Sequence, residues 1–535
     1  MATKKKTVRT ASKSAAEYKG RALHGKAAKG KEMDPSAPQP LAAAGMVELN
    51  EPRPGKTRYP ISEQEFVNLK EASHKKKLGK STVTAAKDGG KKTELGPQAL
   101  GSFDVMAAAE PAAAPTPVTN FEGIPATGWI PPDCTMATGP AHVLVSVNSS
   151  VAIYNKTGGA PVMQKTLTVW FANVVQNMTV FDPKALYDQH AGRWVLLAVG
   201  IRQNPNQSVF LLSVSNTSNP LGPWRNYVFN ASLNGSTPTN NWADYPALGV
   251  DNQSLYVTAN MFQFGGGFQY SKIRVIPKAG PYSGGVATYT DFFNMKNANN
   301  TVAFTIQPCH TFGVPGAEFL VNSLFPSGQS LTLWRITGPP NAPVLTRTTV
   351  QTGAYSLPPN ANQMGGGAPL NTGDIRVLHA VCRGGSVWCA LTTAKNWGGA
   401  ANQASIHWFQ INAGASNLVQ QGVYGAAGFH YFYPAPTVDT NGNMIMVFSR
   451  CGATQFGSIL YTGRKSTDPL GTLQASALLK AGVANYVALD GSGRNRWGDY
   501  AGVSVDPTNG RDVWVYSMFA SAVNTWGTWI GSSRF

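Results

Sequence analysis

Arg496-Trp497-Gly498-Asp499-Tyr500-Ala501-Gly502-Val503-Ser504-Val505-Asp506-Pro507, a turn through Gly510, then Val513-Trp514-Val515-Tyr516: this stretch decides the fold. It reads as an apolar strand bounded by two aspartates, a polar turn, and an aromatic strand running back. The pattern returns three more times. Residues 181–188 turn through Gly192 into Arg193-Trp194-Val195-Leu196-Leu197-Ala198; residues 244–251 lead to Leu255-Tyr256-Val257-Thr258-Ala259; residues 431–439 turn through Gly442 into Met444-Ile445-Met446-Val447-Phe448. Weaker copies occupy 139–154, around Val143–Val147, 312–324, around Glu318–Val321, and 374–391, around Val377–Val381. Starts roughly 40 to 70 residues apart leave room for four short strands per repeat, the spacing of propeller blades.

The expectation is an all-β protein, a seven-bladed β-propeller over residues 119–535, with six or eight blades as alternatives. Each hairpin supplies the two inner strands of a blade, while Val209–Val214 and Ser405–Gln410 supply outer ones. Ring closure calls for a blade shared by the two ends of the domain, with Trp526–Ile530 or the segment around Gly128-Trp129-Ile130 completing it. Composition agrees, since Gly (56) and Pro (36) are abundant and charged residues make up only 13%.

Residues 1–118 read differently. Net charge is +17, and about half of that excess falls in roughly the first 120 residues, in runs such as Lys4-Lys5-Lys6 and Lys75-Lys76-Lys77. Rich in Ala, Lys, Gly, Ser and Pro, and ending in low-complexity sequence from Ala107 to Pro117, this extension is expected to be largely disordered. One interval departs from that: Ser62 lies three residues before Glu65, a capping-box spacing, and Phe66 and Leu69 share a side of a short helix. The basic extension reads as a solvated spacer or as an arm for nucleic acid or an anionic surface.

No apolar signal core and no membrane-spanning run is visible, which points to a soluble, intracellular chain. Against it, Asn-x-Ser/Thr recurs at Asn148, Asn155, Asn177, Asn206, Asn216, Asn230, Asn234, Asn252 and Asn299, a pattern of exported proteins. Of the five cysteines only Cys382 and Cys389 suggest a disulfide, across the hairpin turn at Gly384-Gly385; buried free thiols are the other reading.

Asp182, Asp244, Asp374 and Asp499 open inner strands, so a radial fold gathers them at one mouth of the channel, with Tyr245, Arg376, His430, Tyr433, Arg496 and Tyr500 on the same segments. Asp244, Asp374, Asp499, Tyr500 and Arg496 are the candidate catalytic groups; Asp182, Tyr245, Arg376, His430 and Tyr433 are candidate ligand contacts. No cofactor is required, though converging carboxylates would suit Ca²⁺ or an acid/base pair. The plainer reading is that each aspartate fixes a strand entry through backbone N–H groups, and this applies most strongly to Asp188, Asp251, Asp439 and Asp506 at the hairpin turns. Trp194, Trp388, Trp497 and Trp514 recur beside turns as packing residues between blades.

Through Gly139-Pro140-Ala141-His142-Val143, residues 153–158, Tyr187-Asp188 with Gly192-Arg193-Trp194, residues 244–250, residues 370–376 and residues 496–500, the chain resembles predicted, mostly bacterial, secreted-type β-propeller proteins without an assigned activity. The resemblance implies the fold and an extracellular or cell-surface location, but no reaction. Sialidase-like propellers are a distant comparison: their Ser-x-Asp-x-Gly-x-Thr-Trp turns do not occur, and Asp188–Trp194 only echoes them. The functional expectation is a binding or scaffold protein, probing a glycan or protein ligand with its channel mouth. A carbohydrate-active hydrolase or lyase and tail-mediated tethering are the alternatives, and a monomer is expected.

Overall fold

A computed structural model describes residues 22–25, 27–36, 58–75 and 113–535. The chain from 116 onward is a β-propeller. Five sheets have four or five strands, and a ten-stranded sheet consists of two such groups joined edge to edge through His310–Thr311. First strands pack on one another in sequence: Thr135–Thr138, Thr179–Asp188, Asn241–Val250, Gln307–Pro308, His379–Arg383, Phe429–Val438, Gly502–Val505, and back to Thr135–Thr138. The ring is closed by pairing Thr116–Glu122 with Thr525–Arg534 (Ile530 opposite Phe121). Trp526–Ile530 therefore does complete a shared sheet, but its partner lies upstream of Gly128, and the expected boundary at 118 falls inside that partner strand.

The four clear repeats are the first hairpins of their sheets, as expected. The copy at 374–391 is also a first hairpin. In the copies at 139–154 and 312–324 the apolar runs are second strands, because the true first strands, Thr135–Thr138 and Gln307–Pro308, are too short and polar to stand out. Trp194, Trp388, Trp497 and Trp514 are buried. Two of them bridge neighbouring sheets: a Cβ at Gly139 would lie 2.2 Å from the Trp194 ring, and Trp497 Nε1 donates to Ser449 Oγ at 2.9 Å.

Each first strand contains, or is preceded within six residues by, a residue of positive φ: Asp182 and Tyr245 (51°) and Tyr433 (55°) at register breaks inside their strands, Asp133 and Thr305 (51°), Gly373 (65°) and Gly498 (155°) ahead of theirs. Five are not glycine, a conformation that persists only where surrounding contacts impose it. Here the imposing contact often comes from the preceding sheet. The N–H of Asp182 donates to Asn148 Oδ1 (2.7 Å), that of Thr305 to Asn260 Oδ1 (2.8 Å), and that of Tyr433 to Thr392 Oγ1 (3.2 Å). Blade-to-blade hydrogen bonds thus set the strand entries that face the channel.

Two parts of the extension are described, and both pack on the ring. Residues 22–36 lie along the outer edges of two adjacent sheets: Leu23–His24 pairs with Thr290–Asp291, Ala28–Lys29 with Val286–Ala287, and Lys31–Met33 with Trp224–Asn226. Gly25 is required there, since a Cβ would meet the Tyr289 ring at 1.8 Å. Residues 58–75 contain the helix Glu63–Lys75 and cover one mouth of the channel. Ser62 Oγ accepts the Glu65 N–H at 3.2 Å, half of the expected capping box, and Phe66 is buried with Leu69 packed beside it. The helix is short enough to be marginal alone; packing of Tyr59 and Phe66 on the ring supplies what propensity does not. The lysine runs at 4–6 and 76–77 lie outside the described residues.

Cys382 and Cys389 form no disulfide; all five cysteines are buried and free. Cys382 stands opposite Val387 and Cys389 opposite Ala380, so the two thiols are diagonal rather than facing. Asn148 and Asn234 are buried, and Asn148 Nδ2 donates to Pro131 O, so neither can carry a glycan; Asn155, Asn177, Asn206, Asn230, Asn252 and Asn299 are exposed. Among the described residues no helix is long and apolar enough to cross a membrane.

Candidate functional site at the channel mouth

The strand entries bring together most of the residues singled out by sequence. Asp244, Tyr245, Asp374, Arg376, Tyr433, Arg496 and Asp499 all line one cavity of about 30 Å³, closed from outside by Arg58 and Tyr59. That volume holds one or two waters and no sugar ring. Asp182 and Tyr500 lie just beneath. His430 lies apart: its Nδ1 accepts the Ala404 N–H at 3.1 Å, and burial, with His74 and Lys70 nearby, lowers its pKa to about 4. It does not line that cavity and serves there as an acceptor for a backbone N–H.

Most charges here are already paired. Arg376 Nε and Nη2 donate to the two oxygens of Asp374 at 2.9 and 2.7 Å, and Arg496 Nη2 donates to both oxygens of Asp499 at 3.0 and 2.9 Å. Arg494 pairs with Asp490 at 2.6 Å. Asp244 Oδ1 accepts the Tyr245 N–H at 2.9 Å, while its Oδ2 lies 3.3 Å from Arg58 Nε. Asp182 Oδ2 accepts the same Tyr245 N–H at 3.2 Å. Tyr245 OH donates to Asp499 O, and Tyr500 OH to Pro183 O.

Burial splits the carboxylates into two classes. Asp182 is pushed up to about 8 by burial and then by Asp244, against the pull of Arg58. Asp133 is driven well above the carboxylate range by burial and by Asp499 and Asp182. Burial also works to raise Asp499, yet Arg496, Arg58, Arg376 and Arg494 outweigh it and hold that carboxyl below its ordinary value. Lys184, with its ammonium over the Tyr500 ring, is lowered by burial despite Asp182, Asp133 and Asp499. Among the described residues no group of three or more His, Cys, Asp or Glu is arranged to hold a metal ion.

Sequence reasoning missed Asp133, Lys184, Arg494, Arg58 and Tyr59. Asp133 contributes nothing to a recognisable repeat because its strand is short, but Lys184 sits inside a quoted copy and Arg494 two residues before one, so both would follow from treating each strand entry as a whole. The mouth aspartates are also not equivalent: Asp182 takes the positive-φ position, Asp244 precedes it, and Asp374 and Asp499 follow it.

No protein-family profile matches the chain, and no curated protein sequence does. Among solved structures it is similar to the WD40 domain of SCAP from fission yeast (9% identity, 74% of this chain and 82% of that one, TM-score 0.33). It is likewise similar to an α-L-arabinanase of Penicillium chrysogenum complexed with arabinobiose (10%, 78% and 99%, 0.36) and to the Dos1 propeller (10%, 78% and 95%, 0.36). Likeness at this level carries no function across.

Proposed function

We propose that the chain is a binding propeller of seven blades that takes a glycan or protein ligand at its channel mouth. The cycle of seven first strands and the seven positive-φ entries support that count, with the ten-stranded sheet read as two blades. The observation carrying the function is the convergence of Asp244, Asp374, Arg376, Arg496 and Asp499, from separate sheets, under a segment that is not part of the ring. Buried ion pairs of this kind are expensive relative to apolar packing, so their collection at one accessible end favours recognition over stability.

A glycan and peptide array probed with the parent and with Phe66→Asp, which unseats the covering helix, tests the reading. Selective retention that strengthens in Phe66→Asp and disappears when Asp244, Asp374 and Asp499 are all changed to Ala is the expected result. Equal retention by all three proteins would refute it.

A second reading has its own support. Asp182 and Asp133 are pushed toward the acid form while Asp499 is kept ionised, the division of labour of a general acid and base. As a hydrolase or lyase, the opened protein would turn over members of the same glycan panel, and Asp182→Asn and Asp499→Asn would each abolish turnover.

A further inference from the structure

The residues that close the mouth show what chemistry it accepts. Once Arg376 is matched to Asp374, Arg496 to Asp499 and Arg494 to Asp490, and with Asp133 and Asp182 pushed toward the acid form, Asp244 is the buried mouth carboxyl that is met from the covering segment. Arg58 answers it. Its Nε is 3.3 Å from Asp244 Oδ2. Tyr59 fills the adjacent position: its ring stacks on Phe66 (centroids 3.6 Å apart), its hydroxyl accepts from Arg494 Nη1 at 3.1 Å, and the Arg376 guanidinium lies 5.8 Å from the ring centre. Lys70 adds a third contact, donating to Thr372 Oγ1 (2.9 Å) and Gly373 O (2.7 Å). The mouth thus has an acidic position for a planar guanidinium beside an arginine-lined position for a phenol, a pairing that favours Arg over Lys.

We infer that the channel mouth is a receptor for a peptide segment bearing an arginine followed by an aromatic residue, and that residues 58–75 are the chain's own ligand of this kind. The inference rests on the reading of the mouth as a binding site and names the ligand class. Because the internal ligand is tethered, it acts at an effective concentration on the order of millimolar, so an external peptide competes poorly until the internal one is disabled.

The test uses the full chain carrying Arg58→Ser and Tyr59→Ser, titrated with a synthetic peptide of residues 56–75 and followed by fluorescence anisotropy. At least tenfold tighter binding than to the parent is expected, with at least a tenfold loss when the peptide carries Arg58→Ala or Tyr59→Ala. Equal binding of the native and Arg58→Ala peptides overturns the inference. Should the opened protein retain an oligosaccharide but not the peptide, the inference fails and the binding-site reading stands; retention of neither removes both. If the double variant does not fold, hydrogen exchange on the parent decides: a large excess of peptide should accelerate exchange of the amides of 63–75, and unchanged exchange overturns the inference.

Discussion

Two sets of aspartates recur around this ring, and they behave in opposite ways. At the hairpin turns, Asp188, Asp251, Asp439 and Asp506 each accept backbone N–H groups of their own turn, Asp188 Oδ1 that of His190 at 2.9 Å, while Asp188 and Asp506 also pair with Lys278 and Lys156. Asp251 Oδ1 accepts from the N–H groups of Gln253 and Ser254, Asp439 Oδ1 from those of Asn441 and Asn443, and Asp506 Oδ1 from that of Thr508. At the mouth, Asp133, Asp182 and Asp244 answer to groups from other sheets or from the covering segment: Asp499 N–H, Tyr245 N–H and Arg58. The first set closes turns, whereas the second gathers carboxyl groups in a buried place. One residue type, moved six or seven positions along the chain, thus passes from site to scaffold.

The largest expected effect lies at the turns. Asp506 also accepts from Thr508 Oγ1 and Trp514 Nε1 and pairs with Lys156 at 2.7 Å. Asp506→Ala strands these donors and should cost about 3 kcal/mol of unfolding free energy in a urea titration. Burial works to raise this carboxyl, but Lys156 and the Thr508 and Trp514 donors hold it below its ordinary value. Its contribution is therefore present above the unfolded carboxylate pKa of about 4 and is lost as pH falls through the lower folded value.

At the mouth the sign reverses. Asp182 keeps its proton to about pH 8 when folded but only to about pH 4 when unfolded, so its contribution is complete below pH 4 and is lost as pH rises toward 8. Asp182→Asn, whose amide oxygen can still accept the Tyr245 N–H, should stabilise the protein by about 2 kcal/mol at pH 8.5 and by little at pH 4. Destabilisation by Asp182→Asn at pH 8.5 would erase the distinction between the two sets.

The same distinction explains what was legible beforehand. Turn aspartates were readable because each accepts a backbone N–H from within four residues, and strand hairpins because Val, Leu and aromatic residues repeat between such turns. The convergence of Asp244, Asp374 and Asp499 was readable, since repeat register alone brings them to one end. Its pairings were not readable: Arg376 with Asp374 and Arg496 with Asp499 are local, but Asp499 with Asp133, or Asp244 with Arg58, requires the closed ring. The packing of Tyr59 and Phe66 was not readable, because they bury themselves only against a surface that the composition of the extension cannot reveal.

The smallest effect separates that covering segment from both aspartate sets. Ser62 caps the helix Glu63–Lys75 through the Glu65 N–H and is linked to no residue of the ring by that bond. Losing an N-cap costs about 1 kcal/mol of helix stability. If the segment opens independently of the ring, that cost is felt by the local opening alone. Ser62→Ala should then leave the urea midpoint unchanged while accelerating hydrogen exchange of the 66–75 amides about fivefold, the rate equivalent of 1 kcal/mol. A matching shift of the urea midpoint would instead mean that the segment unfolds only with the propeller. In that case Arg58 would be a permanent partner of Asp244, scaffold like the turn aspartates, and the mouth would not open to ligand.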